Sequence, residues 1–333
     1  MRLLFLIQGF EVASSRYRVL QYVPALQEAG FDVTVTPFPR KLGEQQRVYS
    51  DAGEYDLVFI HRKRLSKYWI RKLRATAKKI VYDFDDAVMY RDTLSIENQE
   101  SERRKRRFER TCRVADLVIA GSGYLASFAR PLNANTAVLP TVVDLSRYAP
   151  RSWNDKPEKI TLGWIGDTGS FAYLESQRPL FEAVGQAIPR LQFKIVSSRF
   201  PRFDHLPVIA RRWSADGEVA DLQSFDIGIM PIQDDPWSKG KCGLKLLQYM
   251  AAGVPAVASP VGANLEILAD GVQGFYAAGQ KEWIERIGRL AGDARLREKM
   301  GKAAFQRVKE AYALQVAAPK FVELLRKTAA NQS

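Results

Sequence analysis

Short runs of apolar, β-branched-rich residues recur along this chain with longer amphipathic stretches between them, and that alternation admits few folds. Leu3 to Ile7, Asp32 to Thr36, Leu57 to Ile60, Ile80 to Tyr82 and Leu117 to Ala120 read as buried strands, with helical patterns between most of them. Continuous apolar strands separated by helices indicate βαβ units on a parallel sheet, where helices cover both faces and no strand face meets water. The periodicity lapses from Pro140 to Pro157 into Pro, Ser, Asp and Asn, which places a linker there. A second series follows at Ile160 to Ile165, Phe193 to Val196, Ile227 to Met230 and Ala256 to Ser259, and from Lys281 onwards the pattern is helical with no strand candidate. The expected architecture is α/β, two Rossmann-like domains over residues 1–150 and 151–310 facing a central cleft. A C-terminal helix over 311–333 is expected to pack back toward the first domain. Such folds bind ligands at the carboxyl ends of their strands.

Composition narrows the function classes. Hydrophobic residues make up 46% of the 333 and charged residues 26%, so a real core forms and a disordered, collagenous or coiled-coil chain is excluded. The opening Met-Arg-Leu-Leu-Phe-Leu-Ile stops at Gln8-Gly9, too short for a secretory signal, and reads as the first strand. No window approaches the ~18 consecutive apolar residues of a membrane-spanning helix, so the expected location is cytoplasmic, with a peripheral position on the membrane left open. Cys112 and Cys242 are too few for a disulfide framework, and with His61 and His205 too few and too scattered for a zinc site. Both histidines read as ordinary residues. The net charge of +13 favours phosphate-bearing partners: nucleic acid, anionic lipid or a nucleotide. No recognised nucleic-acid module accompanies the charge, which argues against the first.

The densest local signal is Trp237-Ser-Lys-Gly-Lys-Cys-Gly-Leu-Lys-Leu-Leu-Gln-Tyr-Met-Ala-Ala-Gly-Val-Pro-Ala-Val-Ala-Ser259. It follows a strand, passes a Gly-rich basic turn and enters a helix, whose N-terminus offers free N–H groups and a positive dipole end to phosphate. Lys239, Lys241 and Lys245 add charge there. Lys241 and Lys245 are four apart, a spacing that fits one helix face. The competing reading is a solvated basic turn.

From Gly240 to Ser259 the sequence resembles the retaining nucleotide-sugar glycosyltransferases of family 4, which have the GT-B fold and typically carry Glu-Gly-Phe-Gly-Leu-Pro-Leu-Leu-Glu-Ala-Met-Ala-x-Gly-x-Pro-Val-Ile-x-Ser. The likeness continues through Gly262 to Gly274 and Asp293 to Gly301. It departs at the family's paired glutamates, which fall on Gly240 and Gln248, and at its Arg and Lys after the first strand of the second domain, where Gly163-Trp-Ile-Gly-Asp-Thr-Gly169 stands. The resemblance implies a nucleoside-diphosphate-sugar co-substrate of UDP or GDP type, retention of configuration and no required metal. The donor diphosphate is assigned to Lys239, Lys241 and Lys245 with Gly243, Gly166 and Thr168, because a leaving diphosphate needs cations. Gln248 takes the ribose, its amide accepting from hydroxyls.

In the first domain Val81-Tyr-Asp-Phe-Asp-Asp-Ala-Val88 follows a strand where the family usually shows a His-Asp pair, and it makes Asp85 and Asp86 the candidate catalytic carboxylates. Asp83-Phe-Asp85 also has the Asp-x-Asp form of a metal site, and a helix cap is a third reading. In the first βα turn, Gly9, Ser15, Arg16 and Arg18 are candidates for the acceptor side of the cleft, with Ser14 or Ser15 capping one helix that ends near Gly30. Two basic runs remain. Arg62 to Lys79 interleaves Trp69, Ile70 and Leu73 with cations, which fits either a membrane surface or packing into its own domain, and Arg103 to Arg107 is the second. The expected activity is transfer of a sugar to an acceptor hydroxyl on a glycan or lipid-linked acceptor, in cell-envelope or surface polysaccharide synthesis by the family's habit. A non-catalytic nucleotide- or membrane-binding scaffold, and a GT-B epimerase or phosphorylase, are the alternatives.

Overall fold

The computed structural model describes residues 1–95, 98–153, 157–166 and 168–330, without the side chains of 168 and 169. The chain divides into two compact units, Met1–Val142 with Asp235–Cys242 and Leu314–Ser333, and Val143–Asp234 with Gly243–Ala313.

Unit 1 is built on six parallel strands, β1 (Arg2–Ile7), β2 (Asp32–Pro37), β3 (Leu57–His61), β4 (Ile80–Phe84), β5 (Leu117–Ala120) and β6 (Thr136–Val138), in the order β2-β1-β3-β4-β5-β6. β1, β3, β4 and β5 are buried along their length apart from Arg2, as their unbroken apolar runs require. The strand order reverses between β1 and β3, which opens a crevice beyond their carboxyl ends. Unit 2 repeats the plan with β7 (Ile160–Ile165), β8 (Leu191–Ser197), β9 (Val208–Arg212), β10 (Ile227–Met230), β11 (Ala256–Ala258) and β12 (Gly274–Tyr276), in the order β12-β11-β10-β7-β8-β9. Its reversal lies between β7 and β10.

β2, expected as a buried strand, has no buried residue, because it lies at the edge of the sheet, and three further strands escape the hydrophobic pattern. β6 has three residues, none buried; β9 is an edge strand whose residues are mostly exposed; and β12 opens on Gly274. The expected single helix after β1 is three pieces: a helix over Ala13–Arg18, a 3₁₀ turn over Leu20–Tyr22 and a helix over Val23–Glu28. Pro24 causes the break, since its ring would meet the Leu20 carbonyl in a continuous helix and it has no N–H to donate.

The basic run after β3 forms the helix Lys67–Thr76, whose Ile70 and Leu73 are buried in unit 1, with Trp69 against Tyr49 at 5.2 Å between ring centroids. Its apolar side therefore packs into its own unit. No helix among the described residues is long and apolar enough to cross a membrane.

The last helix, Leu314–Ala330, completes the core of unit 1. Phe321 is fully buried, with ring centroids 4.7 Å from Tyr22, 5.7 Å from Phe59 and 6.4 Å from Phe5. Phe321→Ala leaves a ring-sized cavity between β1, β3 and this helix and is expected to destabilise unit 1 by about 3–5 kcal/mol. Urea unfolding reads this as a lower midpoint with an unchanged slope; an unchanged midpoint contradicts the packing.

Candidate functional site

The carboxyl ends of β1, β3 and β4 gather charged groups in unit 1. β3 and β4 run in register, with His61 opposite Asp83, so the two side chains meet at the end of the pair. Asp83 is 1% exposed and accepts from three directions: Arg18 Nη2, Arg18 Nε at 3.3 Å and His61 Nδ1 at 2.8 Å. Arg18 also donates through Nη1 to the Leu139 carbonyl at 2.6 Å, just past β6. Burial alone would raise the Asp83 carboxyl, but Arg18 and His61 outweigh it and hold the group below the ordinary carboxylate range. Burial likewise opposes the Arg18 charge, and Asp83 overcomes it and raises the guanidinium. Arg18, expected at the rim, is thus an interior residue: a cation this deep persists only because Asp83 neutralises it.

The next turn holds Asp85 and Asp86. Arg62 follows β3 with a backbone φ of 60°, a left-handed conformation that costs a non-glycine residue energy and is kept where side-chain contacts demand it. Its guanidinium donates through Nη2 to Asp86 and places Nε 3.3 Å from Asp85 Oδ1. Lys241 sets Nζ 3.6 Å from Asp86 Oδ1 and 4.9 Å from the Trp237 ring centroid. Burial would raise Asp86, but Arg62 and Lys241 prevail and lower it. Cys242 is buried beside this cluster, where burial first and Asp85 next push its thiol well above the ordinary value.

Several polar atoms around this edge are buried without a hydrogen-bond partner among the described residues: Ser14 Oγ, Ser15 Oγ, His61 Nε2 and Asp85 Oδ1. Neither serine caps its helix, because the N-cap position is Val12, two residues before Ser14 and three before Ser15. Gly9 ends the β1 turn, and the half-buried Arg16 lies 5.6 Å from the Tyr17 ring. Asp83, the first carboxylate of the Asp-x-Asp pattern, has both oxygens engaged by Arg18 and His61, and the described residues contain no group of three His, Cys, Asp or Glu side chains arranged for a metal.

The basic cluster at 237–248 divides between the units. Lys239 and Lys241 belong to unit 1, where Asp235 caps the short helix Pro236–Lys239, and Lys239 is half-buried. Lys241 and Lys245 do not share a helix face, because the helix Leu244–Ala251 begins after Gly243, whose φ of 68° closes the turn. A Cβ at Gly243 would also lie 2.2 Å from Ile267 Cδ1. In unit 2, Lys245 donates to Ser170 Oγ at 3.3 Å with its ammonium 5.5 Å from the Trp164 ring at the end of β7. Gln248 is buried on the same helix. Gly166 follows β7, and its N–H donates to the Val196 carbonyl at 3.0 Å. The side chain of Thr168 lies outside the described residues.

The position where the resemblance places a first glutamate is sterically closed. Gly240 lies so close to the Asp85–Asp86–Ala87 turn that a Cβ would stand 2.5 Å from Ala87 Cβ and from its backbone N. No side chain fits there, and Asp86 with Lys241 occupies the neighbourhood instead.

Sequence reasoning passed over His61 and Arg62. Their signal was available, since a polar pair at the end of an otherwise apolar strand falls where ligands bind in this fold class.

Comparison with known proteins bears on the fold. Residues 161–293 match the family described as Glycosyl transferases group 1. A stretch of 90 residues is 33% identical to a sucrose synthase of Melioribacter roseus, covering 25% of this chain and 11% of that protein, so the chain spans only a small part of that relative. Among solved structures, sucrose-phosphate synthase from Thermosynechococcus elongatus superposes with a TM-score of 0.80 at 18% identity, over 98% of both chains. Anabaena Alr3699/HepE in complex with UDP and glucose gives 0.72 at 17% identity, over 98% of this chain and 99% of that one. A glycosyltransferase from Rickettsia africae gives 0.70 at 14% identity, over 99% of both. The fold is therefore that of GT-B glycosyltransferases, and residues 161–293 are similar to the group 1 glycosyltransferase family.

Because Asp83 and Asp86 are held below their ordinary values, their ionised forms contribute stability above about pH 4, and this is lost as pH falls through the lowered folded-state values. Asp83→Asn leaves Arg18 buried without a counter-charge and is expected to cost about 3–5 kcal/mol at neutral pH. Its melting temperature should also fall less steeply with acid than that of the wild type; parallel acid limbs contradict the assignment.

Proposed function

We propose that this protein transfers a sugar from a nucleoside-diphosphate-sugar to an acceptor hydroxyl, with retention of configuration. Unit 2 holds the nucleotide, with Lys245, Gly243, Gly166 and Thr168 toward the diphosphate and Gln248 toward the ribose. Unit 1 supplies Asp85 and Asp86 as the reacting-centre carboxylates, Lys241 and Lys239 as cations, and Gly9, Ser15, Arg16 and Arg18 as the acceptor-side turn, Arg18 acting through Asp83. The relatives crystallised with UDP and with UDP-glucose support a uridine donor. A glycan or lipid-linked acceptor, a role in surface polysaccharide synthesis, independence from divalent metal and a cytoplasmic location, with or without contact to an anionic membrane surface, complete the reading.

One observation carries it. The orphaned Ser14, Ser15 and His61 polar atoms lie on the segments at the carboxyl ends of β1 and β3, beside a cationic pair on Asp86. Buried polar atoms lacking partners are costly, and a ligand rich in hydroxyls would satisfy them. In the chemistry, the carboxylates stabilise positive charge developing at the anomeric carbon while lysines neutralise the departing diphosphate. Asp86, kept ionised by Arg62 and Lys241, suits the first task.

Calorimetry against UDP, GDP, ADP and dTDP tests the donor half. One nucleotide, UDP, is expected to bind and raise the melting temperature, and Lys245→Ala to weaken it by about tenfold, the loss of one charge-assisted contact. Failure of every nucleotide to bind overturns the reading.

A further inference from the structure

The two basic runs that the transferase reading leaves unused fold next to each other in unit 1. Between them lies a cavity of about 300 Å³ lined by Arg64, Arg91, Ser101, Arg103, Arg104 and Arg107. Arg64 leaves the end of β3, Arg91 lies on the loop beyond β4, and the other three arginines occupy the first turns of the helix Glu102–Val114, whose N-cap is Ser101. Five guanidinium groups thus face one space.

Like charges do not converge without compensation. Among the described residues, Arg64, Arg103, Arg104 and Arg107 form no ion pair with a carboxylate; the acids of that helix, Glu102 and Glu109, pair with Arg106 and Arg113 instead. Arg64 donates through Nη1 to the Val88 carbonyl and Arg104 through Nη1 to the Tyr90 carbonyl at 2.8 Å, which fixes both groups and leaves other N–H donors of each fork for a ligand. Arg64 Nε is buried with no partner. Desolvation first, with the neighbouring arginines, lowers Arg64 against an opposing pull from Tyr82, and desolvation with Arg103 and Arg110 lowers Arg107. A multiply charged anion would relieve that repulsion.

We infer that this cavity binds a phosphate- or diphosphate-bearing ligand, at a site separate from the nucleotide-binding residues of unit 2. The forked, planar guanidinium matches paired phosphoryl oxygens, which lysines do not, and the space suits a pyrophosphate group with its waters. The cavity shares the segment from Asp86 to Arg91 with the candidate carboxylates: Arg62 grips Asp86, Arg64 grips Val88 and Arg104 grips Tyr90. A bound anion therefore stiffens the turn that carries Asp86. The site does not depend on the transferase reading. Its ligand comes either from a lipid headgroup or from a soluble phosphate ester.

The test is calorimetry with inorganic pyrophosphate, together with flotation on vesicles of phosphatidylglycerol in phosphatidylcholine and on phosphatidylcholine alone. The proteins compared are the wild type, the R103Q/R107Q double variant, R106Q as a same-helix charge control and K245A. The inference expects R103Q/R107Q to weaken pyrophosphate or anionic-vesicle binding by at least about tenfold, with R106Q within about twofold of wild type. Pyrophosphate binding alone assigns a soluble ligand, and vesicle binding alone assigns a headgroup. The inference is overturned by equal loss in R106Q, by loss in K245A but not in R103Q/R107Q, or by no binding of either probe. UDP binding retained in R103Q/R107Q separates this outcome from failure of the donor site.

Discussion

The buried Arg18–Asp83 pair is the constraint from which unit 1 takes its shape. It ties the helix after β1 to the end of β4, reaches His61 at the end of β3 and, through the Leu139 carbonyl, the segment after β6. Two charges out of water would be ruinous singly and are tolerable together only in a fixed geometry. That requirement pins four segments at the carboxyl edge of one sheet. It also sets the backbone beyond β3 and β4, where Arg62 takes a left-handed conformation and the Asp85–Asp86 turn comes close against Gly240.

Consequences follow outward. With Asp83 committed to structure, Asp85 and Asp86 are the carboxylates on which the proposed transfer draws, and Arg62 with Lys241 keeps Asp86 ionised. The loop Asp235–Cys242 packs in unit 1 although its chain neighbours lie in unit 2, so a basic stretch continuous in sequence serves two places. In unit 2 the glycine turn at Gly243 starts a helix that carries Lys245 to Trp164 and Ser170.

Much of this was legible in the sequence. The apolar runs located five strands of the first sheet and four of the second; those buried on both faces are apolar throughout, whereas β2, expected to be buried, is an edge strand with no buried residue. β6, β9 and β12 were not legible, being short, exposed or glycine-led, and held by their neighbours' hydrogen bonds more than by burial. At the site, the Asp-rich stretch and the lysine turn stood out. The burial of Arg18 did not, since an arginine is usually solvated and its partner lies 65 residues away. The pairing of His61 with Asp83 needed the register of β3 on β4, and the split between Lys241 and Lys245 needed the backbone angle at Gly243. Side-chain periodicity reports burial; it does not report which distant charges meet.

The most direct measurement is the rate of nucleoside diphosphate release from the sugar donor by wild type and by Asp86→Asn, with nucleotide affinity measured on the same preparations. If the carboxyl edge of unit 1 is where the sugar reacts, the variant loses at least about a hundredfold in rate while its nucleotide affinity stays within about twofold. Release at the wild-type rate from Asp86→Asn would contradict the account.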